Sequence, residues 1–330
     1  MYYVKLDNAM YYILECWLSL GAGHSEEKSK PVVVSNGTFR VRHRKALPMV
    51  FEINVILYPI LACPDTSSYD NIMSLETAQR LGFLIEESVG DFRAANGRVI
   101  VPVGKTTASC SFATGTPYTD PKLESAFHVF HIFRNLPVPL IMGLRFLQIT
   151  ETWTKYRDRL VEEVIPMIQS PRVYSIGKYQ QCLTCKLDEH VGLANVDTGS
   201  DVNLVSVSFA ETRNFDLDEE YHEVMLANGI SVLTRGRIRV KFAVGLVQDA
   251  ANQTIDVEFH IFADLSSDIL IRQNTIQELK IFELHSKSLI TSTERVFESE
   301  QKRINPLLVM MEARSGRLKI NEKMLAARLT

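Results

Sequence analysis

The sequence lacks an N-terminal run fit to cross a bilayer: its longest apolar stretch there, residues 9–23, is interrupted by Glu15 and is shorter than the roughly 20 residues a spanning helix needs. Lys5 and Asp7 precede that stretch in near balance, so the basic leader of a secretion signal is missing too. Charge of one sign is scarce. A net charge of −3, with no block of like charge, leaves no electrostatic footprint for nucleic acid, and the basic residues within 41–45 are too few to supply one. The five cysteines, Cys16, Cys63, Cys110, Cys182 and Cys185, are odd in number and irregularly spaced, which speaks against a secreted disulfide framework and agrees with a reducing compartment. Cys182 and Cys185 are followed by His190, but Asn195 stands where a fourth metal ligand would be needed, so the pair reads as two strand residues. These absences predict a soluble, cytoplasmic protein with no metal, no cofactor, and neither nucleic acid nor membrane as partner. The 330 residues, 46% hydrophobic and 23% charged, have ordinary globular composition and are enough for two domains with real cores.

What the sequence does contain is a repeat. Asp197-Thr198-Gly199-Ser200 follows the apolar run Leu193-Ala194-Asn195-Val196, and Asp65-Thr66-Ser67-Ser68 matches it 132 positions earlier. The same offset carries Asn71, Ser74, Ala78 and Phe83 onto Asn203, Ser206, Ala210 and Phe215. It also carries Ala95-Asn96-Gly97 onto Ala227-Asn228-Gly229, and Gly104 onto Gly236. After a three-residue length change, Phe130-His131-Ile132-Phe133 matches Phe259-His260-Ile261-Phe262, and each is followed by a second apolar run, Leu140-Ile141-Met142 and Ile269-Leu270-Ile271. A period this long, occurring twice, indicates a duplicated domain and not a solenoid. Two aspartates in repeated settings point to a two-carboxylate site.

Hydrophobic alternation over residues 51–57, 99–112 and 237–242 reads as half-buried strand. Ser74 and Ser206 are placed to cap short helices that run through Ala78 and Ala210, and Gly82 can end the first. His128, His131 and His260 sit in alternating apolar runs and read as strand residues, and the acidic cluster at residues 216–220 reads as a solvated loop. Residues 157–165 have the composition of a helical bridge ahead of Pro166 and Pro171. The predicted organisation is an unassigned extension over residues 1–48, a first domain over 49–152, a helical linker over 153–178, a second domain over 179–290 and a helical tail over 291–330.

The run from Ala194 to Ser206 resembles the active-site loop of retropepsin-like aspartic proteases, the group of retroviral, retrotransposon and ubiquitin-shuttle proteases. Other landmarks follow in that family's order. The Ala-Asn-Gly hairpin tip corresponds to a flap over the substrate, and an apolar-apolar-Gly turn precedes a short helix, here Leu140-Ile141-Met142-Gly143-Leu144-Arg145-Phe146-Leu147. The resemblance covers about residues 50–150 and 180–290. It implies a mainly β protein: two retropepsin-like barrel domains arranged as a pseudo-twofold bilobal unit, with short helices, in a monomer that is its own pseudodimer. It also implies that Asp65 and Asp197 are catalytic, that Thr66 and Thr198 interlock beneath them, and that Ser67, Ser68, Gly199 and Ser200 support them. Ala95, Asn96 and Gly97, with Ala227, Asn228 and Gly229, would be the flap residues over a polypeptide substrate or peptide ligand.

The chemistry explains why two copies matter. Peptide hydrolysis by this route needs one carboxylate to take a proton from water while another carboxyl gives one to the carbonyl oxygen. Isolated carboxylic acids would both be ionised near neutral pH, whereas a pair about 3 Å apart cannot both ionise and shares one proton. Two departures from the family pattern bear on this. Ser67 stands where the family has glycine, so a Cβ there is expected to crowd the opposite carboxylate or strain the loop, and Arg272 stands where the second half should repeat Gly143. Each half keeps what the other has lost. Two readings follow: an aspartic-type endopeptidase, and a catalytically inactive fold kept as a peptide-binding or dimerisation module. A third, processing of a retroelement polyprotein, would be accompanied by nucleocapsid or polymerase motifs, which these residues do not contain.

Overall fold

The computed structural model of the chain describes residues 41–113, 127–166, 169–177, 179–245 and 253–293. The apolar run at residues 9–23 and the expected helical tail beyond residue 293 lie outside the described residues. The first lobe is built from β1 (Val41–Ile53), β2 (Ile56–Asp65), β3 (Asn71–Ser74), β4 (Phe92–Arg93), β5 (Val99–Ile100), β6 (Gly104–Phe112), β7 (Phe127–Phe133) and β8 (Leu140–Gly143). Next come β9 (Val161–Pro166) and β10 (Arg172–Val173). The second lobe has β11 (Tyr179–Leu187), β12 (His190–Asp197), β13 (Leu204–Ser206), β14 (Glu223–Leu226), β15 (Ser231–Leu233), β16 (Arg237–Val244), β17 (Thr254–Phe262), β18 (Ile269–Arg272) and β19 (Ile290–Thr293).

The protein is mainly β, with two closed six-strand barrels and a few short helices. In the first, the order β2-β8-β3-β7-β6-β1 returns to its start because β1 also pairs with β2; in the second, β12-β18-β13-β17-β16-β11 closes through β11 and β12. Closure leaves neither barrel with an open edge among these strands. The two orders are equivalent strand for strand, so the sequence repeat is a repeat of topology. Each barrel also has an outer strand on the first half of its long opening strand, β9 on β1 and β19 on β11. Helices over Leu75–Arg80 and Val207–Thr212 are capped as expected, with the Ser74 and Ser206 hydroxyls each accepting a backbone N–H at 3.1 Å. The lobes also meet through a Trp153–Phe282 stack with ring centroids 5.6 Å apart and an Arg157–Glu283 ion pair.

Three sequence expectations need correction. Residues 157–165 do not form a helix: one 3-10 turn, Arg157–Arg159, leads directly into β9. Cross-strand pairing overrides the helical composition, because Arg44 grips Glu163 at 2.5 Å and Lys45 reaches Glu162 at 2.7 Å. For the same reason residues 41–48, ahead of the expected start at residue 49, belong to the first lobe, and the basic residues near 41–45 are one side of a strand pair. The alternation over residues 99–112 is interrupted at Val101-Pro102-Val103 into β5 and β6, since proline offers no ladder donor. Among the described residues no helix is long and apolar enough to cross a membrane.

Candidate active site

Asp65 and Asp197 end equivalent strands, and both are wholly buried. β2 runs parallel to β8 and β12 to β18, with Asp65 opposite Gly143 and Asp197 opposite Arg272. Thr66 and Thr198 interlock across the lobes. The Thr66 hydroxyl donates to the Val196 carbonyl at 2.7 Å and accepts the Thr198 N–H at 3.2 Å. In the mirror arrangement the Thr198 hydroxyl donates to the Pro64 carbonyl at 2.7 Å and accepts the Thr66 N–H at 3.0 Å. Four buried bonds of about 1 kcal/mol net each fix the two loops against one another.

The carboxyl groups are held unequally. Asp65 Oδ1 accepts the Ser67 N–H at 2.8 Å and the Ser67 hydroxyl at 2.7 Å, while Oδ2 accepts the Ser68 hydroxyl at 2.7 Å. Asp197 Oδ1 accepts the Gly199 N–H at 2.8 Å, and its Oδ2 is buried without a hydrogen bond of ordinary geometry, although the Asp65 carboxyl and the Ser67 hydroxyl stand beside the group. The second-lobe serine does not repeat the Ser68 contact, because the Ser200 hydroxyl donates to the Val202 carbonyl at 2.7 Å. Burial raises both carboxyls above the ordinary range. For Asp65 the raise is opposed by Ser67, Ser68 and Asp197, whereas Asp197 is pushed far higher, by burial first and the Asp65 charge second. Donors favour the ionised form, so the three hydrogen bonds at Asp65 favour the negative charge there over Asp197.

The geometry also gives the two sequence departures a physical meaning. A Cβ built on Gly199 would lie 2.7 Å from Asp65 Cγ, so this loop position has no room for a side chain unless something shifts. Ser67 is the equivalent residue of the first lobe, and its hydroxyl, besides bonding Asp65, also lowers the Asp197 carboxyl. At the other pair, a Cβ on Gly143 would meet the Asp70 carbonyl oxygen at 2.3 Å. Arg272 carries a Cβ at the matching place, and the loop there is looser: the Gln273 N–H reaches the Ser200 carbonyl at 3.4 Å, against 2.6 Å between Leu144 and Ser68. The anchoring asparagine bond survives in both lobes, Asn71 to Gly143 at 3.0 Å and Asn203 to Arg272 at 2.9 Å.

The expected flap residues form two matching hairpin tips, with Gly97 at φ 71° and Gly229 at φ 76° supplying the left-handed turn. Asn96 and Asn228 brace these tips by accepting the N–H of Arg98 and Ile230 at 3.3 and 3.1 Å. Each tip rests on the opposite lobe. The Ala95 carbonyl accepts the Ser266 N–H at 2.9 Å, and a Cβ on Gly229 would stand 3.0 Å from the Asn135 carbonyl oxygen. Ala95 and Ala227 are buried accordingly.

Several residues at this site were not expected from sequence. Residues 171–177 run in extended form between flaps and dyad loops, with β10 parallel to the flap strand β14 and Ile176 bridged to Ala94 of the first flap. Asp201, four residues after Asp197, clamps this segment: its N–H donates to the Arg172 carbonyl at 2.8 Å and its carboxylate accepts the Arg172 N–H at 3.1 Å. The one available signal was the short alternating string Arg172-Val173-Tyr174-Ser175-Ile176 after Pro171, which is too brief to identify a strand without its partners.

No protein-family model matches the chain, and no curated protein matches it. Among solved structures, the retroviral protease-like domain of Ddi1 from Leishmania major is similar at 18% identity, over 32% of this chain and 72% of that one, with a TM-score of 0.22.

Proposed function

We propose that the chain is an aspartic-type endopeptidase in which Asp65 and Asp197 act as a pair on an extended polypeptide. The observation that carries this reading is the unequal solvation of two buried carboxyls on interlocked loops: Asp65 has three donors, and Asp197 has one donor and a bare oxygen. Asp65 would take a proton from water as the water oxygen bonds to the scissile carbonyl carbon. Asp197 would give its proton to the carbonyl oxygen, and collapse would expel the amine as it gains a proton. The flap tips Ala95-Asn96-Gly97 and Ala227-Asn228-Gly229 would lie over the substrate backbone, which adds as a strand beside β14 and β4.

A second reading, a catalytically inactive peptide-binding or dimerisation module, is favoured by one observation: the Ser67 hydroxyl lies between the carboxyls at a position where the other lobe leaves no room for a Cβ. Turnover of an unstructured peptide library, followed by mass spectrometry over pH 3–8, separates the two. The endopeptidase reading expects a bell-shaped acidic profile that Asp197→Asn abolishes and Ser67→Gly enhances. Undiminished cleavage by Asp197→Asn would exclude the two-carboxylate mechanism, and binding without cleavage in parent and Ser67→Gly alike would leave the module.

A further inference from the structure

Resting on the reading of the cleft as a peptide groove, we infer that residues 171–177 are its built-in occupant: a strap from the same chain, bound as a substrate would be, that keeps the groove closed and displays the ligand class it takes. The main-chain contacts are those of an added strand. Met225 of the second flap donates its N–H to the Pro171 carbonyl at 2.7 Å, and register then pairs Arg172 with Met225 and Val173 with Leu226. Asp201 holds both the N–H and the carbonyl of Arg172. At the far end the Gly177 N–H reaches the Arg93 carbonyl at 3.0 Å on the first flap. Between these ends the Tyr174 carbonyl stands 3.5 Å from the Ser68 hydroxyl, which itself donates to Asp65, so the middle of the strap passes the dyad.

Side chains alternate between the lobes as an extended chain requires. Val173 packs against Val202, Leu204 and Leu270 of the second barrel and Ala95 of the first flap. Tyr174 and Ile176 pack on the opposite side, against Ile72, Phe133 and Ile141 of the first barrel and Ala227 of the second flap. Tyr174 is fully buried, with the Arg172 guanidinium 4.8 Å from its ring centroid. The occupant therefore defines the ligand: an extended peptide with a β-branched residue, an aromatic and a second β-branched residue in the order Val-Tyr-x-Ile, preceded by a backbone amide that Asp201 can grip. The strap is also imperfect, because the Tyr174 hydroxyl is buried without a hydrogen-bond partner. Its advantage over a free peptide is the tether, which keeps it at an effective concentration on the order of millimolar. A ligand that pairs that hydroxyl site, or a strap that loses its anchors, shifts the balance.

The test uses the full chain and a fluorescently labelled peptide Arg-Val-Tyr-Ser-Ile-Gly. Arg172→Pro removes the N–H that Asp201 accepts, and Tyr174→Gly removes the largest side chain in the groove. In either variant, with folding verified by circular dichroism and a cooperative melt, the peptide is expected to bind at least ~10-fold more tightly than to the parent. Added peptide should then restore slow hydrogen exchange at the Met225 and Asp201 amides. Equal binding by parent and both folded variants, or binding that leaves those amides exchanging fast, overturns the inference. Binding of the strap peptide by the variants, with no cleavage of library peptides by them, keeps the strap and removes the hydrolytic reading. Variants that cleave library peptides yet ignore the strap sequence keep hydrolysis and overturn the strap.

Discussion

The two barrels share strands, order and register, yet they hold their aspartates differently. The first lobe has a tight support, with Gly143 packed under the loop, and a crowded loop, with Ser67 at the dyad. The second has the reverse, a bare Gly199 at the dyad and a looser support at Arg272. Identical halves would hold two carboxyls alike; here three hydrogen bonds reach Asp65 and one reaches Asp197. If the pair hydrolyses peptides as proposed, this lost equivalence between repeats is what assigns each carboxyl its role.

The largest expected effect comes from removing either carboxylate. Asp65→Asn and Asp197→Asn should each lower peptide hydrolysis by about two to four orders of magnitude, as measured by turnover. Stability should part them. Asp65→Asn mismatches three buried donors and should cost about 1–3 kcal/mol in urea unfolding. Asp197→Asn should not, because the neutral acid is what its site favours. Both carboxyls titrate higher in the fold than unfolded, so the stability that protonation contributes is complete below the unfolded value and is lost as pH rises through the folded one. The Tm of Asp197→Asn should therefore exceed the parent's at pH 7–8, and the gap should close below about pH 4. Equal Tm profiles would remove the asymmetry claimed for the pair.

Next in size is the support beneath each loop. Gly143→Ala forces a Cβ to within 2.3 Å of the Asp70 carbonyl oxygen and should destabilise by about 1–3 kcal/mol, whereas Arg272→Ala, in a loop already opened, should stay within about 1 kcal/mol. Thr66→Ala and Thr198→Ala each remove two interlobe bonds and should cost about 2 kcal/mol singly. The double variant should fall short of their sum, because both pairs of bonds join the same two loops. The smallest expected effect lies in the opening hairpins. Asn54 and Val55 turn the first with φ 51° and 68°, and Val55 is 88% exposed, so Val55→Gly should raise first-lobe stability by about 1 kcal/mol. The second hairpin has a single left-handed residue, Asp188, and no such gain is expected from glycine at Glu189.

The duplicated residues made most of the barrel pair legible in the sequence. Asp65, Asn71 and Ser74 recur with their spacing because the fold needs each in one place, as carboxylate, loop anchor and helix cap. The Ala-Asn-Gly tips were readable because their turn needs a left-handed glycine. What stayed hidden depends on partners remote in sequence. Glu162 and Glu163 look helical until Arg44 and Lys45 are placed across from them. The strap looks like linker because its neighbours are one flap from each repeat and a loop aspartate that has Tyr69, not a second acid, as its counterpart. A repeat reveals what the halves have in common and is silent about what runs between them.

If the cleft takes a peptide as proposed, the crossed flap tips would set a clock on its exchange. Ala95 is bonded to Ser266 and the Gly229 turn sits over Asn135, so neither hairpin can lift without parting from the lobe opposite. Entry of such a peptide would then wait on an internal opening whose rate does not depend on how much ligand surrounds the protein. Observed association rates should climb with peptide concentration and then level off, and Ser266→Pro, which deletes the donor to Ala95, should raise that plateau.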